Sequence, residues 1–181
     1  MSKRLIVINI AAALTLALVG IAATTLYETD SHSIFASTDG NNNSAISLGN
    51  PFFVEKGKVI GQRVLSVTPQ PQLEFTINAN GTINNTINFT NTGTSVSNLQ
   101  KNGTFTGKGQ GFIMTEEGEV ATWTNQVVGQ LTKEGNIISR GAGFWSTPST
   151  GDLAFMNNLM TIFKLEIDRE GNLSADEWEW K

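Results

Sequence analysis

The stretch TGKGQGFIMTEEGEVATWTNQVVGQLTKEGNIISRGAGFWST, residues Thr106 to Thr147, decides the fold of this chain. Apolar and polar residues alternate along it, and one signal breaks the alternation twice: two residues and then glycine, at Glu116-Glu117-Gly118 and Lys133-Glu134-Gly135. Alternating runs joined by glycine turns read as antiparallel strands in hairpins. A three-residue loop with its glycine left-handed puts Ile113, Ala121, Trp123, Leu131, Ile137 and Trp145 on one face. Gly107, Gly109, Gly111, Gly129, Gly141 and Gly143 share that face. A slip of one residue would send every one of these side chains to the other side. Lys108, Gln110, Thr122, Thr124, Gln126 and Arg140 occupy the opposite face, which is therefore the outside. Large rings over residues without side chains are a way to fill a small, strongly curved barrel.

Working outward, the same turn form recurs at Ala79-Asn80-Gly81 and Arg169-Glu170-Gly171. Eight strands are predicted, near 58–67, 72–78, 82–91, 104–115, 119–132, 136–147, 159–168 and 172–181. The fold class is all-β, an antiparallel eight-stranded up-and-down barrel, with a two-sheet sandwich as the alternative. At the Ala79-Asn80-Gly81 turn, a three-residue loop sets Ile77 against Ile83 and Leu73 against Ile87, and Asn84 then shares the polar face with Asn88. The connection Pro148 to Asn158 is long enough to hold a short helical turn over one barrel end.

The N-terminal side reads differently. Leu5 to Ala23 is a 19-residue apolar run preceded by Lys3 and Arg4. As a helix it would cover roughly 29 Å, close to the ~30 Å hydrocarbon core of a bilayer. Residues 1–27 are thus expected to be a transmembrane anchor, or a signal segment cleaved near Gly20-Ile21-Ala22, with the barrel outside the cytoplasm either way. Residues 28–57 read as a polar disordered stalk and 58–181 as the barrel domain. The lone histidine, His32, falls in the stalk, which leaves no material for a Ser-His-Asp mechanism. No cysteine is present, so a disulfide framework, a thiolate nucleophile and a Cys-ligated metal are excluded. Lys+Arg 12 against Asp+Glu 16 gives a formal net charge of -4, without the basic excess of a nucleic-acid binder.

In strand plan and in Gly/Trp placement, residues 106–147 and the closing EGNLSADEWEWK resemble the small calycin-like and allene-oxide-cyclase-like barrels, and more narrowly a family of exported prokaryotic proteins without assigned function. The resemblance covers roughly the last 120 residues. It implies an apolar-centred barrel and homo-oligomers. No motif aligns a catalytic residue, so none is carried over.

Gly107-Lys108-Gly109-Gln110-Gly111 has the wrong spacing for a phosphate loop, and no helix pattern follows it. Asp168-Arg169-Glu170-Gly171-Asn172 lacks the acidic spacing of a calcium loop, so no metal and no cofactor are expected. Asn42, Asn80, Asn84, Asn88, Asn102 and Asn172 each head an Asn-x-Ser/Thr acceptor for a glycan. In the last hairpin, Phe163 opposes Glu177 and Ile162 opposes Trp178, so the apolar face changes sides. A β-bulge near Lys164 or Asp176, the favoured reading, would turn Trp178 and Trp180 inward and leave Glu177 and Glu179 in water. An unbroken strand would instead carry both carboxylates into the barrel. Candidate ligand-binding residues are Trp123, Trp145, Phe163, Glu177 and Glu179. The functional expectation is a non-catalytic envelope module that binds a small apolar ligand or assembles with its own copies. The alternatives are an isomerase- or cyclase-type enzyme and a purely structural component.

Overall fold

The computed structural model describes residues 48–181. The expected anchor, most of the stalk, His32 and Asn42 lie outside the described residues. Eight antiparallel strands run in chain order around a closed barrel: β1 (Phe53–Ser66), β2 (Gln72–Ile83), β3 (Ile87–Leu99), β4 (Thr104–Thr115), β5 (Val120–Leu131), β6 (Ile137–Ser146), β7 (Met160–Ile167) and β8 (Asn172–Glu179). Closure is made by β1 and β8, from Phe53↔Glu177 to Lys58↔Asn172. The sandwich alternative is thereby set aside.

Three of the four expected glycine turns are turns, with Gly118, Gly135 and Gly171 at φ of 84°, 88° and 82°. The fourth is not. Ala79, Asn80 and Gly81 lie within β2, and the chain reverses at Asn84-Asn85-Thr86, pairing Ile83 with Ile87 and Ile77 with Gly93. Asn84 and Asn85 take φ of 50° and 58° there, a conformation that asparagine adopts more readily than most residues. Gly81 is glycine for a packing reason instead. A Cβ on it would come within 2.2 Å of the Val54 carbonyl oxygen and 2.5 Å of the Phe89 ring. β1 also begins at Phe53 rather than near 58, so the barrel takes in residues 53–57 that the composition assigned to the stalk.

The register read from residues 106–147 holds: Ile113↔Ala121, Gly111↔Trp123, Trp123↔Trp145 and Leu131↔Ile137 are pairs. The rings occupy the space over the glycines. A Cβ at Gly93 or Gly111 would strike Trp123 at 2.3 or 2.5 Å, one at Gly129 would strike Phe105 at 2.3 Å, and one at Gly141 would strike Phe163 at 2.5 Å. Near one barrel end, Phe53, Ile83, Phe89, Ile113, Ala121, Trp123 and Trp145 form a buried cluster with Leu153, Met156 and Leu159 of the 148–158 connection. That connection contains a single 3-10 turn, Ala154–Met156. We call this the capped end. Toward the far end a second cluster holds Ala79, Leu173 and Ala175, with Ile77, Leu165 and Ile167 packed against it.

Candidate functional site: two buried carboxyls

Between the two apolar clusters lies a polar layer built around Glu55 and Glu177. The closing hairpin carries no bulge. Its register runs unbroken from Thr161↔Glu179 through Phe163↔Glu177 to Ile167↔Leu173. The favoured reading is therefore corrected. Because strand side chains alternate strictly, Leu173, Ala175 and Glu177 all face inward, and Trp178 faces out. The Trp178 indole donates instead to the Gly49 carbonyl, 3.0 Å away. Glu179 shares the inward parity but sits at the strand end. Its half-exposed carboxylate pairs with Lys181 at 3.1 Å.

Glu55 was not anticipated. It faces inward from β1 opposite Ala175 and Gly81, diagonal to Glu177 across the β1–β8 seam. Both carboxyls are buried, at 5% and 7% exposure, and no Lys or Arg is buried with them among the described residues. Neutral donors hold them. Asn91 Nδ2 donates to Glu55 Oε2 at 2.7 Å, and the Trp123 indole donates to Asn91 Oδ1 at 2.9 Å. The Trp145 indole donates to Glu177 Oε1 at 2.9 Å, and the Thr161 hydroxyl donates to the same oxygen. A Cβ at Gly143 would come within 2.9 Å of that oxygen, so the glycine is what lets the carboxyl lie across β6.

Burial without a counter-charge penalises the ionised form. It pushes Glu55 up to about 7, against the pull of the Asn91 hydrogen bond and with a smaller push from Glu177. It pushes Glu177 up to about 7 as well, against the Thr161 and Trp145 hydrogen bonds. Asn125 Oδ1, one strand away beside Gly143, is a buried acceptor with no hydrogen-bond partner. Chemically the layer holds and releases protons near neutrality.

The other expected site residues are placed as follows. Trp123 and Trp145 are buried, and Phe163 packs on Gly141, so all three contribute to the packed interior. An open groove of about 460 Å³ lies at the capped end, and Trp123 and Trp145 are among its lining residues, with Thr122, Thr124, Phe144 and Asn158. Asn80 and Asn88 are exposed on the outer wall, Asn84 and Asn102 are in turns, and Asn172 opens β8 with its amide donated to Asp168. Asn80 is therefore a strand residue and not a turn residue, and Asn84 leaves the polar face it was expected to share with Asn88.

A second carboxylate also escaped the sequence reading. Glu119, at the start of β5, accepts hydrogen bonds from the backbone N–H groups of Asp152 and Leu153, at 3.0 and 2.8 Å, and from the Ser149 hydroxyl. These bonds, the one from Ser149 foremost, hold its pKa below the ordinary glutamate value. Glu119 fastens the cap to the barrel end.

The chain matches no protein-family model and no curated protein. Solved structures do resemble it. A conserved protein of unknown function from Rhodopseudomonas palustris superposes with a TM-score of 0.59 at 9% identity, over 72% of this chain and 95% of that one. A protein of unknown function from Clostridium acetobutylicum gives 0.62 at 14% identity, over 73% and 98%. A beta-barrel like protein from Acinetobacter baumannii gives 0.62 at 10%, over 73% and 94%. Identities this low speak for a common fold. The class is the antiparallel eight-stranded up-and-down β-barrel.

Proposed function

We propose that the chain is an envelope protein whose barrel is a non-catalytic module, carried outside the cytoplasm by its N-terminal segment and acting through its outer surface. The observation behind this reading is the occupied interior. Trp123, Phe105, Phe163 and Phe89 lie against Gly111, Gly129, Gly141 and Gly81 at distances that would not admit even a methyl group. A binding barrel of this strand number keeps that space for its ligand. The test is titration of the full chain with an apolar fluorescent probe, beside Trp123→Ala. The expected result is saturable binding by the variant, whose interior is hollowed, and none by the wild type. Saturable one-to-one binding by the wild type, lost in Gly111→Val, would overturn the reading.

An acid–base enzyme is the second reading, favoured by one observation. Two carboxyls placed near 7 are matched to proton transfer at neutral pH. Glu55 and Glu177 would be its acid and base.

A further inference from the structure

Leu48 of the incoming chain apart, the exposed apolar side chains are sorted by type along the barrel. Every exposed Phe, Met and Trp among the described residues lies toward the capped end: Phe112, Met114, Phe144, Phe155, Met160 and Trp180. At the far end the exposed apolar residues, Ile60, Val64, Leu65, Val67, Val128 and Ile138, are all aliphatic. Strand formation accounts for the far set, which is mostly β-branched and sits in or beside β1, β5 and β6. It does not account for Phe155, in the 3-10 turn, or for Trp180, beyond β8. Phe144 and Met160 are paired, and the Trp180 N–H donates to the Met160 carbonyl at 3.0 Å, so three of these side chains form one row across β6, β7 and the end of β8. Phe155 meets Phe52 edge-on at 6.1 Å, continuing the rim to the start of β1.

The position of the preceding chain says what covers this rim. Gly49, Phe52 and Phe53 are tied to β8 and to the β2–β3 turn, through Trp178 Nε1 to the Gly49 carbonyl, Phe52 N–H to the Glu177 carbonyl and Asn84 N–H to the Phe52 carbonyl. The polypeptide carrying the apolar run Leu5 to Ala23 thus joins the barrel at the aromatic end. Only residues 24–47 separate that run from the described chain, so an anchor in a bilayer would raise the effective concentration of the end it joins against the lipid. Aromatic side chains are the ones enriched at the membrane–water boundary. The charges near the rim, Glu116, Glu117 and Asp152, with Glu179 paired to Lys181, are acidic in balance. They suit the ammonium groups of zwitterionic lipid and oppose an anionic surface.

We propose that the capped end of the barrel docks on a zwitterionic lipid surface through Met114, Phe144, Phe155, Met160 and Trp180. The proposal rests on the anchored reading, and the test separates the two. The chain has no cysteine, so Phe155→Cys, Trp180→Cys, Val67→Cys and Val128→Cys each place one fluorophore on an exposed site. Full-length variants are reconstituted with phosphatidylcholine vesicles containing a lipid-borne quencher. Flotation with the vesicles reads anchoring, and quenching reads the rim. The expected result is flotation of all four, with labels at 155 and 180 quenched several-fold more than those at 67 and 128, and less so when phosphatidylglycerol replaces phosphatidylcholine. Adding Trp180→Ser to the Phe155→Cys variant should lower the quenching without changing flotation. Uniform quenching in a chain that floats would overturn the docking and leave the anchor standing. Energy transfer between 155 labels on different copies, without lipid quenching, would overturn it in favour of a second copy on the rim. A chain that does not float and stays unquenched overturns both.

Discussion

Substituting Glu177 by glutamine should change how stability depends on pH, and the structure sets both sign and size. Glu177 has an ordinary value of 4.5 and is pushed up to about 7 in the folded barrel. Between those values the unfolded chain has released the proton that the folded chain still holds. Folding is then progressively disfavoured as pH rises: the stability present below 4.5 is lost through the window up to 7 and changes little above it. At about 1.4 kcal/mol per pH unit, the loss approaches about 3 kcal/mol for one carboxyl. Glu55 acts in the same direction over the same window. Glu119, Glu134 and Asp168 have lowered values, so their contributions are complete above the unfolded carboxyl range and do not overlap it. Glutamine keeps an oxygen to accept from Trp145 and Thr161 and removes the charge. Urea unfolding, followed at steps from pH 5 to pH 8, should show a falling wild-type curve and a clearly shallower one for Glu177→Gln. The variant should be the more stable protein at pH 8, by up to about 3 kcal/mol. Glu179→Gln should change little, within ~0.5 kcal/mol, because its pair with Lys181 is exposed. A wild-type curve that is flat or rising from pH 5 to 7, or a Glu177→Gln curve parallel to it, would refute the buried uncompensated carboxyl.

Trp123→Ala should destabilise by ~3 to 5 kcal/mol in denaturant unfolding, and Gly111→Ala should also destabilise, because its Cβ would lie 2.5 Å from the indole. The two together should cost less than their sum, and strict additivity would place the ring elsewhere. Gly81→Ala should be destabilising and partly rescued by Phe89→Leu, a rescue that a glycine needed only for a turn would not show. Glu119→Ala should free the cap, with the amides of Asp152 and Leu153 exchanging faster with solvent while those of β3 keep their rates; unchanged exchange at both would remove Glu119 from the fastening.

The barrel was legible where pattern and turn chemistry agree. At the β4–β5, β5–β6 and β7–β8 hairpins Gly118, Gly135 and Gly171 take the left-handed conformation, so the turn fixes the register and the register fixes which residues face inward. At Gly81 the same letter has another cause. The glycine there makes room for Phe89, and the reversal is carried by Asn84 and Asn85, whose local signal is weaker. The two uses of glycine look alike in one dimension. They separate only once a ring from a neighbouring strand is placed over the residue, and such a contact spans positions that local pattern does not relate.

The polar layer was hidden by a rule that is sound on average. Unpaired charge is costly to bury, so the sequence favours a bulge that keeps Glu177 in water. The argument assumes that the carboxyl stays ionised. A carboxyl raised to about 7 enters the barrel as a neutral acid below that pH; Trp145 and Thr161 are the polar company of Glu177, and Asn91, itself held by the Trp123 indole, is that of Glu55. That company comes from β3, β5, β6 and β7, so no window along the sequence contains it. Glu55 was lost for a simpler reason. Its alternation, Phe53-Glu55-Gly57, runs directly on from a polar segment and ends in Lys56 and Lys58, which made the first turns of β1 read as stalk. Had the strand been started at Phe53, its closing pair Phe53↔Glu177 would have set two acids on one inward face. Two carboxyls buried on one face without a cation are disfavoured as charges, desolvation being the main cause, so the upward direction of both titrations follows once that face is known.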